Sequence, residues 1–414
     1  MRQALRNPDF RWLFTGQAVS AIGDQLFPVA VAVLVLQGGG GAGDLGLVLA
    51  ARFGALVLFA LLGGVWADRL PRVRVLVSAD LLRLLAVLGL ALAAASAPPV
   101  PVLAALTFLV GAGEAFFRPA YGALLPTVLP APDLPGGNAL SSSSQHLAMV
   151  IGPGLGGVLI AAAGVRVAFL VDAATFAVSL ATLVRVREPA HEAAARQRLL
   201  REIREGVAAV RARPWIAAVL AMATLQLLLC VAPVLVLLPV QLRESGAPAS
   251  TYGYVLATGA VGGLLGGLLA GRWRPRLPGR AGLLALLPFA AEPLALLLDA
   301  PAPVLAASWF VGGLGLGPFI VWWESALQVD VPRALLARVI SLDWMCTLAL
   351  LPLGLALTGP LVSAVGRGPV LVTAVAAQVV TSLLPLLVPG ARDFRTPAAS
   401  PSYAGESVSA SASG

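Results

Sequence analysis

The sequence predicts an all-α membrane protein with twelve membrane-spanning helices in two pseudo-symmetric six-helix bundles. Three observations carry that prediction. Hydrophobic residues make up 58% of the 414-residue chain and charged residues 12%, against about 25% charged in an ordinary soluble domain. The apolar residues fall into twelve runs, each near or above the ~20 residues a helix needs to cross a bilayer core. The basic residues, all 28 of them Arg, cluster in the stretches between those runs.

Taken in order, the first run (10–36) follows Asn7-Pro8-Asp9 and carries Asp24. The second (45–67) carries Arg52 and leads into the charged segment Gly63–Arg74, expected as a tight inter-helix loop. Runs three (75–96) and four (101–122) carry Asp80 and Arg83, then Glu114, Arg118 and Pro119. The fifth (138–163) holds the polar stretch Ser141–His146 and then Gly152-Pro153-Gly154-Leu155-Gly156-Gly157; the sixth (166–187) carries Asp172. Residues 188–214 alternate charged and apolar positions at helical spacing, which predicts an amphipathic helix at the membrane surface. Runs seven to twelve are 215–241, 252–272, 280–299, 303–329, 338–364 and 368–390, with Glu292 in the ninth and Asp343 in the eleventh. The predicted organisation is a first bundle at 1–187, a linker at 188–214, a second bundle at 215–390 and a disordered Ser/Ala-rich tail at 391–414.

Arginine placement predicts orientation. With the N-terminus inside, the inner segments hold 22 arginines and the outer loops only Arg166, Arg243 and Arg367. That asymmetry places both termini in the cytoplasm and the chain in the plasma membrane. It also argues against a nucleic-acid partner, because the charge does not line one face of a soluble domain. Cys230 and Cys346 lie inside apolar runs as free thiols, and two cysteines with two histidines make no metal site. No cleavable signal peptide is expected, since the first run is too long for one. No run carries a nucleophile–base pair, so catalysis is not expected.

The halves echo each other. Gly63-Gly64-Val65-Trp66-Ala67-Asp68-Arg69 aligns with Gly266-Gly267-Leu268-Leu269-Ala270-Gly271-Arg272 at an offset of 203 residues. Such repeats mark secondary transporters, whose substrate site lies between the halves.

These motifs resemble the major facilitator superfamily. Gly64, Asp68, Arg69, Arg72 and Arg74 match its signature between spans two and three, with Pro71 where Gly is usual. Gly152, Pro153, Gly156 and Gly157 match the end of a span-five motif associated with antiporters, although Ala139 and Ala148 replace its upstream glycines. Asn7–Leu13, Gly23-Asp24-Gln25 and Gly113–Ala120 are similar to the branch of enterobactin exporters and macrolide efflux proteins. The resemblance implies alternating access, proton antiport and a conformational latch in which Asp68 faces the start of span eleven, near Arg338 to Asp343. The family's span-four arginine is replaced here by Thr107.

Ionisable residues within spans are costly and are functional candidates by default. A rise of ~1.5 Å per residue places Asp24, Arg52 and Asp172 roughly 9–10 Å below the outer face. The same scale puts Asp80, Arg83, Glu114, Arg118 and His146 roughly 8–15 Å from the cytoplasmic face, with Glu292 near the midplane. Asp24 and Arg52 are expected as an ion pair, lining the outer cavity or holding two helices together. Glu114 and Arg118, four apart, share a helix face. Asp24 and Glu114 are the proton-coupling candidates; Arg52, Arg118, Asp172, His146 and Glu292 are the cavity candidates. Ser141–His146 lines the cavity or bonds between helices, and the four glycines of span five form a packing seam. The expected activity is export of a small amphipathic molecule such as a siderophore, macrolide or other drug. A lysophospholipid flippase and a non-transporting membrane sensor remain as alternatives. No cofactor is expected beyond the proton gradient; the expected partners are membrane lipid and the substrate, with the protein a monomer.

Overall fold

The computed structural model describes residues 3–96, 98–188 and 199–395, with side chains described throughout except at 61–69, 199–203 and 334. Among the described residues, twelve helices are long and apolar enough to cross a membrane. The first six are α1 (Pro8–Gln37), α2 (Ala42–Arg69), α3 (Arg72–Ala93), α4 (Val100–Val128), α5 (Leu134–Ala163) and α6 (Val165–Leu183). A shorter amphipathic helix, α7 (Leu199–Arg211), links them to the second set. That set comprises α8 (Pro214–Glu244), α9 (Ala249–Arg272), α10 (Pro278–Leu297), α11 (Ala302–Asp330), α12 (Leu335–Val365) and α13 (Arg367–Leu387).

Local chemistry fixes the ends. The Asn7 side chain accepts from the N–H groups of Asp9 and Phe10, and Pro8 supplies the first turn of α1. The α5–α6 and α12–α13 turns are each made by one glycine, Gly164 and Gly366, at φ 85° and 86°. A β-carbon disfavours that backbone, so glycine is required at both places. The matching turns are a second trace of the internal repeat.

Packing repeats the same plan in both halves. α2 lies along α4, α1 along α6 and α3 along α6; in the second half α9 lies along α11 and α13 packs on α8 and α10. The halves meet through α5 against α9 and α2 against α12, the exchange expected of a pseudo-two-fold axis. Both contacts are closest at the side far from the N-terminus and α7. There Gly157 abuts Ser250 and Gly253, Gly43 abuts Gly359, and the Arg243 guanidinium donates to Gly40 O at 3.0 Å.

Three expectations change. Gly63–Arg69 is the last turns of α2, leaving only Leu70 and Pro71 between helices. α4 runs six residues past its expected end at 122, through Pro119 and Pro126. Residues 391–395 belong to the folded body. Ala391 and Phe394 are buried, the Arg280 N–H donates to Arg392 O at 2.6 Å, and Phe394 packs on Trp215 and Trp323. The remainder of the expected tail, from 396, lies outside the described residues. α7 packs on the start of α12, where Glu205 pairs with Arg338 and Gly206 sits against Leu342.

Candidate functional site

The charges inside the first bundle converge on one network. Glu114 is the middle residue of α4, and Asp24, Arg52, Arg83 and Asp172 all lie within a turn of the middle of their own helices. Arg52 pairs with Glu114 at 3.1 Å, and Glu114 also accepts from Arg118 at 2.6 Å. The Arg52 guanidinium lies 4.7 Å from the centre of the Phe27 ring. Arg83 pairs with Asp80 one turn away and reaches Asp24 at 3.3 Å. Its guanidinium is 4.5 Å from the centres of both Phe117 and Phe176, a sandwich of two aromatic faces. The Ser179 hydroxyl donates to the second Asp80 oxygen at 2.6 Å.

The expected Asp24–Arg52 pair is therefore replaced. Asp24 goes to Arg83, and Arg52 goes to Glu114. The two expected charge layers are one layer, because the added length of α4 puts Glu114 at mid-helix, level with Arg52. The Glu114–Arg118 and Asp80–Arg83 pairs form as their helical spacing predicts.

Thr107 shows why no arginine stands at its position. Its hydroxyl is buried between helices and donates toward Val48 O on α2 and Leu103 O on its own helix. Four residues on, a β-carbon at Gly111 would lie 2.1 Å from Arg52 O, so α2 and α4 are in backbone contact there.

The span-five motif divides between two neighbours. Gly152 and Gly156 face α1, where β-carbons would meet Gln25 and Leu26. Pro153 and Gly157 face α9, where Pro153 O lies 2.1 Å from the β-carbon position of Gly253. The second stripe continues toward the terminal side through His146 and Ser142, seven and eleven residues before Pro153 and on the same helical face. Both are exposed. The facing stripe of α9 likewise opens, with Leu264 and Leu268 exposed. A surface that is closed against the other half at one end and exposed at the other is the wall of a crevice. At its mid-depth edge Arg118 is 55% exposed and stacks 5.7 Å from the centre of Trp344 on α12, a contact across the halves.

Other candidates sit elsewhere. Glu292 is buried in α10 against Gly312, away from the first-bundle network. Asp343 accepts from the Trp323 Nε1–H at 3.2 Å, and Arg338 is held by Glu205. Both residues bound the stretch at the start of α12 that was expected to face Asp68. The side chains of Gly64, Asp68 and Arg69 lie outside the described residues. Arg72 and Arg74 open α3, whose first N–H groups, Arg72 and Val73, donate to the Glu188 carboxylate at 2.9 and 3.0 Å. Glu188, Phe27, Phe117 and Ser179 were not singled out from sequence. Phe176 and Ser179 follow Asp172 by four and seven residues, a helical-face signal that was available.

The sequence profile described as Major Facilitator Superfamily matches residues 13–351. The chain belongs to this family. Within the superfamily, the chain is 30% identical over 414 aligned residues to the multidrug efflux pump Tap of Mycobacterium tuberculosis, covering 95% of this chain and 96% of Tap. It is 28% identical over 346 residues to the enterobactin exporter EntS of Escherichia coli, covering 80% of each. The fold is shared with a bacterial homologue of the iron transporter ferroportin in its inward-facing state, at TM-score 0.71 and 19% identity over 92% of this chain and 98% of that one. The superfamily member described here is thus a multi-pass membrane transporter, and its relatives are transporters rather than enzymes.

Proposed function

We propose that the protein exports a small amphipathic molecule by alternating access, driven by proton entry. The observation that carries this reading is the mid-helix charge network, which includes the 25%-exposed Asp24 and whose edge, Arg118, meets the crevice between the halves. Carboxylates that are covered and uncovered as a crevice opens and closes can take up and release protons, and Asp24 and Glu114 are placed for that exchange. The crevice wall offers Trp344, His146, Ser142 and apolar α9 side chains with few charges, which suits a partly apolar molecule. Tap and EntS bear names of the same kind of activity, drug efflux and siderophore export. The arginine asymmetry supports cytoplasmic termini in the plasma membrane, so the crevice opens inward. The division into bundles at 1–187 and 215–390, with Asp68 as a latch residue at the end of α2, belongs to the same reading. No cofactor enters it; the protein works as a monomer with lipid around it.

The test is uptake of ethidium, a fluorescent amphipathic cation, and of a catecholate siderophore into inverted vesicles. Accumulation of either that needs an acid interior and collapses with a protonophore is expected. Accumulation indifferent to the proton gradient refutes antiport. Movement of fluorescent lysolipid, with neither solute moved, replaces export by lipid translocation.

A further inference from the structure

Asp172 is the one acid of the first-bundle network that has no counter-charge in contact. It sits on α6 with 1% of its surface exposed, and neither carboxylate oxygen has a hydrogen-bond partner among the described residues. A β-carbon at Gly23 would lie 2.6 Å from Asp172 Oδ1 and 2.1 Å from Thr175 Oγ1, so the missing side chain of Gly23 leaves room on α1 for both groups. Thr175 donates its hydroxyl to the Asp172 backbone carbonyl, at 2.7 Å.

The surroundings explain why no cation comes to it. α1 presents Asp24, immediately after Gly23, and that carboxylate holds Arg83. α3 presents Arg83 and Asp80, already paired. Arg52 on α2 is within electrostatic reach but is bonded to Glu114 on α4. α5 turns its only mid-helix ionisable group, His146, to the crevice between the halves. An ionised carboxylate buried without a counter-charge is far costlier than the neutral acid.

We propose that Asp172 is the resident proton site of this protein, a neutral carboxylic acid stored behind Asp24. In transfer, the two carboxyls close to hydrogen-bond distance, the O–H bond at Asp172 breaks and one forms at Asp24. The negative charge moves from Asp24 to Asp172, and the Arg83 guanidinium follows it. The proton then leaves from Asp24, which is 25% exposed. Asp24 is the gate and Asp172 the store. Only the role in transport rests on the antiport reading; the neutral acid itself does not.

The experiment is infrared spectroscopy of the full chain in nanodiscs, with aspartate carboxyl carbons labelled by 13C. The label separates aspartates from Glu292, which is also buried. A protonated-aspartate C=O band at neutral pH that disappears in Asp172→Asn is expected. Absence of any such band, or a band unchanged in Asp172→Asn, overturns the proposal. Should Asp172→Asn not accumulate, Asp172→Glu moves the group out of the labelled set, and an unchanged band again overturns it. In vesicles, Asp172→Asn is expected to move substrate down its gradient but to lose at least tenfold in gradient-driven accumulation; full accumulation overturns the coupling role. Because the band is read without transport, its loss and a failure of antiport are told apart.

Discussion

Gly253→Ala should push the transporter out of the state described here. In this state the β-carbon position of Gly253 is 2.1 Å from Pro153 O and 3.0 Å from Gly157 N. Restoring a contact of ~3.5 Å requires α5 and α9 to part by roughly 1 Å along the seam that closes the far side. The backbone cannot rotate away as a flexible side chain would, so the cost is that of overpacking, about 1–3 kcal/mol. That cost applies only while the seam is closed; when the halves rock and the far side opens, the methyl group faces a cavity. The population ratio should therefore move by about 5–150-fold toward the far-side-open state. Gly263, whose β-carbon would meet nothing closer than 3.8 Å, is the control, since it lies on the same helix outside this seam. Spin labels across the far ends of α5 and α9 would read the distance distribution. A growing long-distance population in Gly253→Ala and none in Gly263→Ala is expected. Distributions unchanged in both would refute the claim that this glycine seam is the far-side gate.

Three further outcomes follow from the same geometry. Arg83→Met leaves the buried Asp80 without its counter-charge and should cost about 3–5 kcal/mol, with much of it recovered in Arg83→Met/Asp80→Asn; thermal unfolding of the two variants checks this. Glu188→Ala removes the cap from the first turn of α3 and should cost about 0.5–2 kcal/mol, read as a lower melting temperature with substrate affinity unchanged. Asp68→Asn should slow transport severalfold in folded protein, while full activity in that variant would argue against a latch at the end of α2.

Much of this fold was legible because bilayer thickness imposes it. Apolar run length sets each span, and single glycines or short polar turns separate them, so all twelve were found and all but the end of α4 placed to within a few residues. Helix ends were harder. Pro119 and Pro126 look like terminators, yet α4 continues to Val128, because proline is tolerated where neighbouring helices satisfy the freed carbonyls. That extension decided the site. Pairs within one helix, Glu114–Arg118 and Asp80–Arg83, could be read from spacing. Pairs between helices could not, since depth alone does not say which arginine an acid will face. Asp24 prefers Arg83 because α1, α3 and α6 pack around one point, while Gly111 brings α4 against the backbone of Arg52. The packed segment 391–395 was missed for a similar reason. Its polarity suggests a tail, but Phe394 fills a gap beside Trp215 and Trp323 that only the assembled bundle creates.

The central claim is that substrate and protons move in opposite directions through one protein. Purified transporter in proteoliposomes, loaded with a pH dye and given an ethidium gradient but no proton gradient, tests it directly. The account predicts that ethidium leaving the lumen draws protons in, and that Asp24→Asn abolishes the acidification. Ethidium efflux at full rate with a constant internal pH would contradict it.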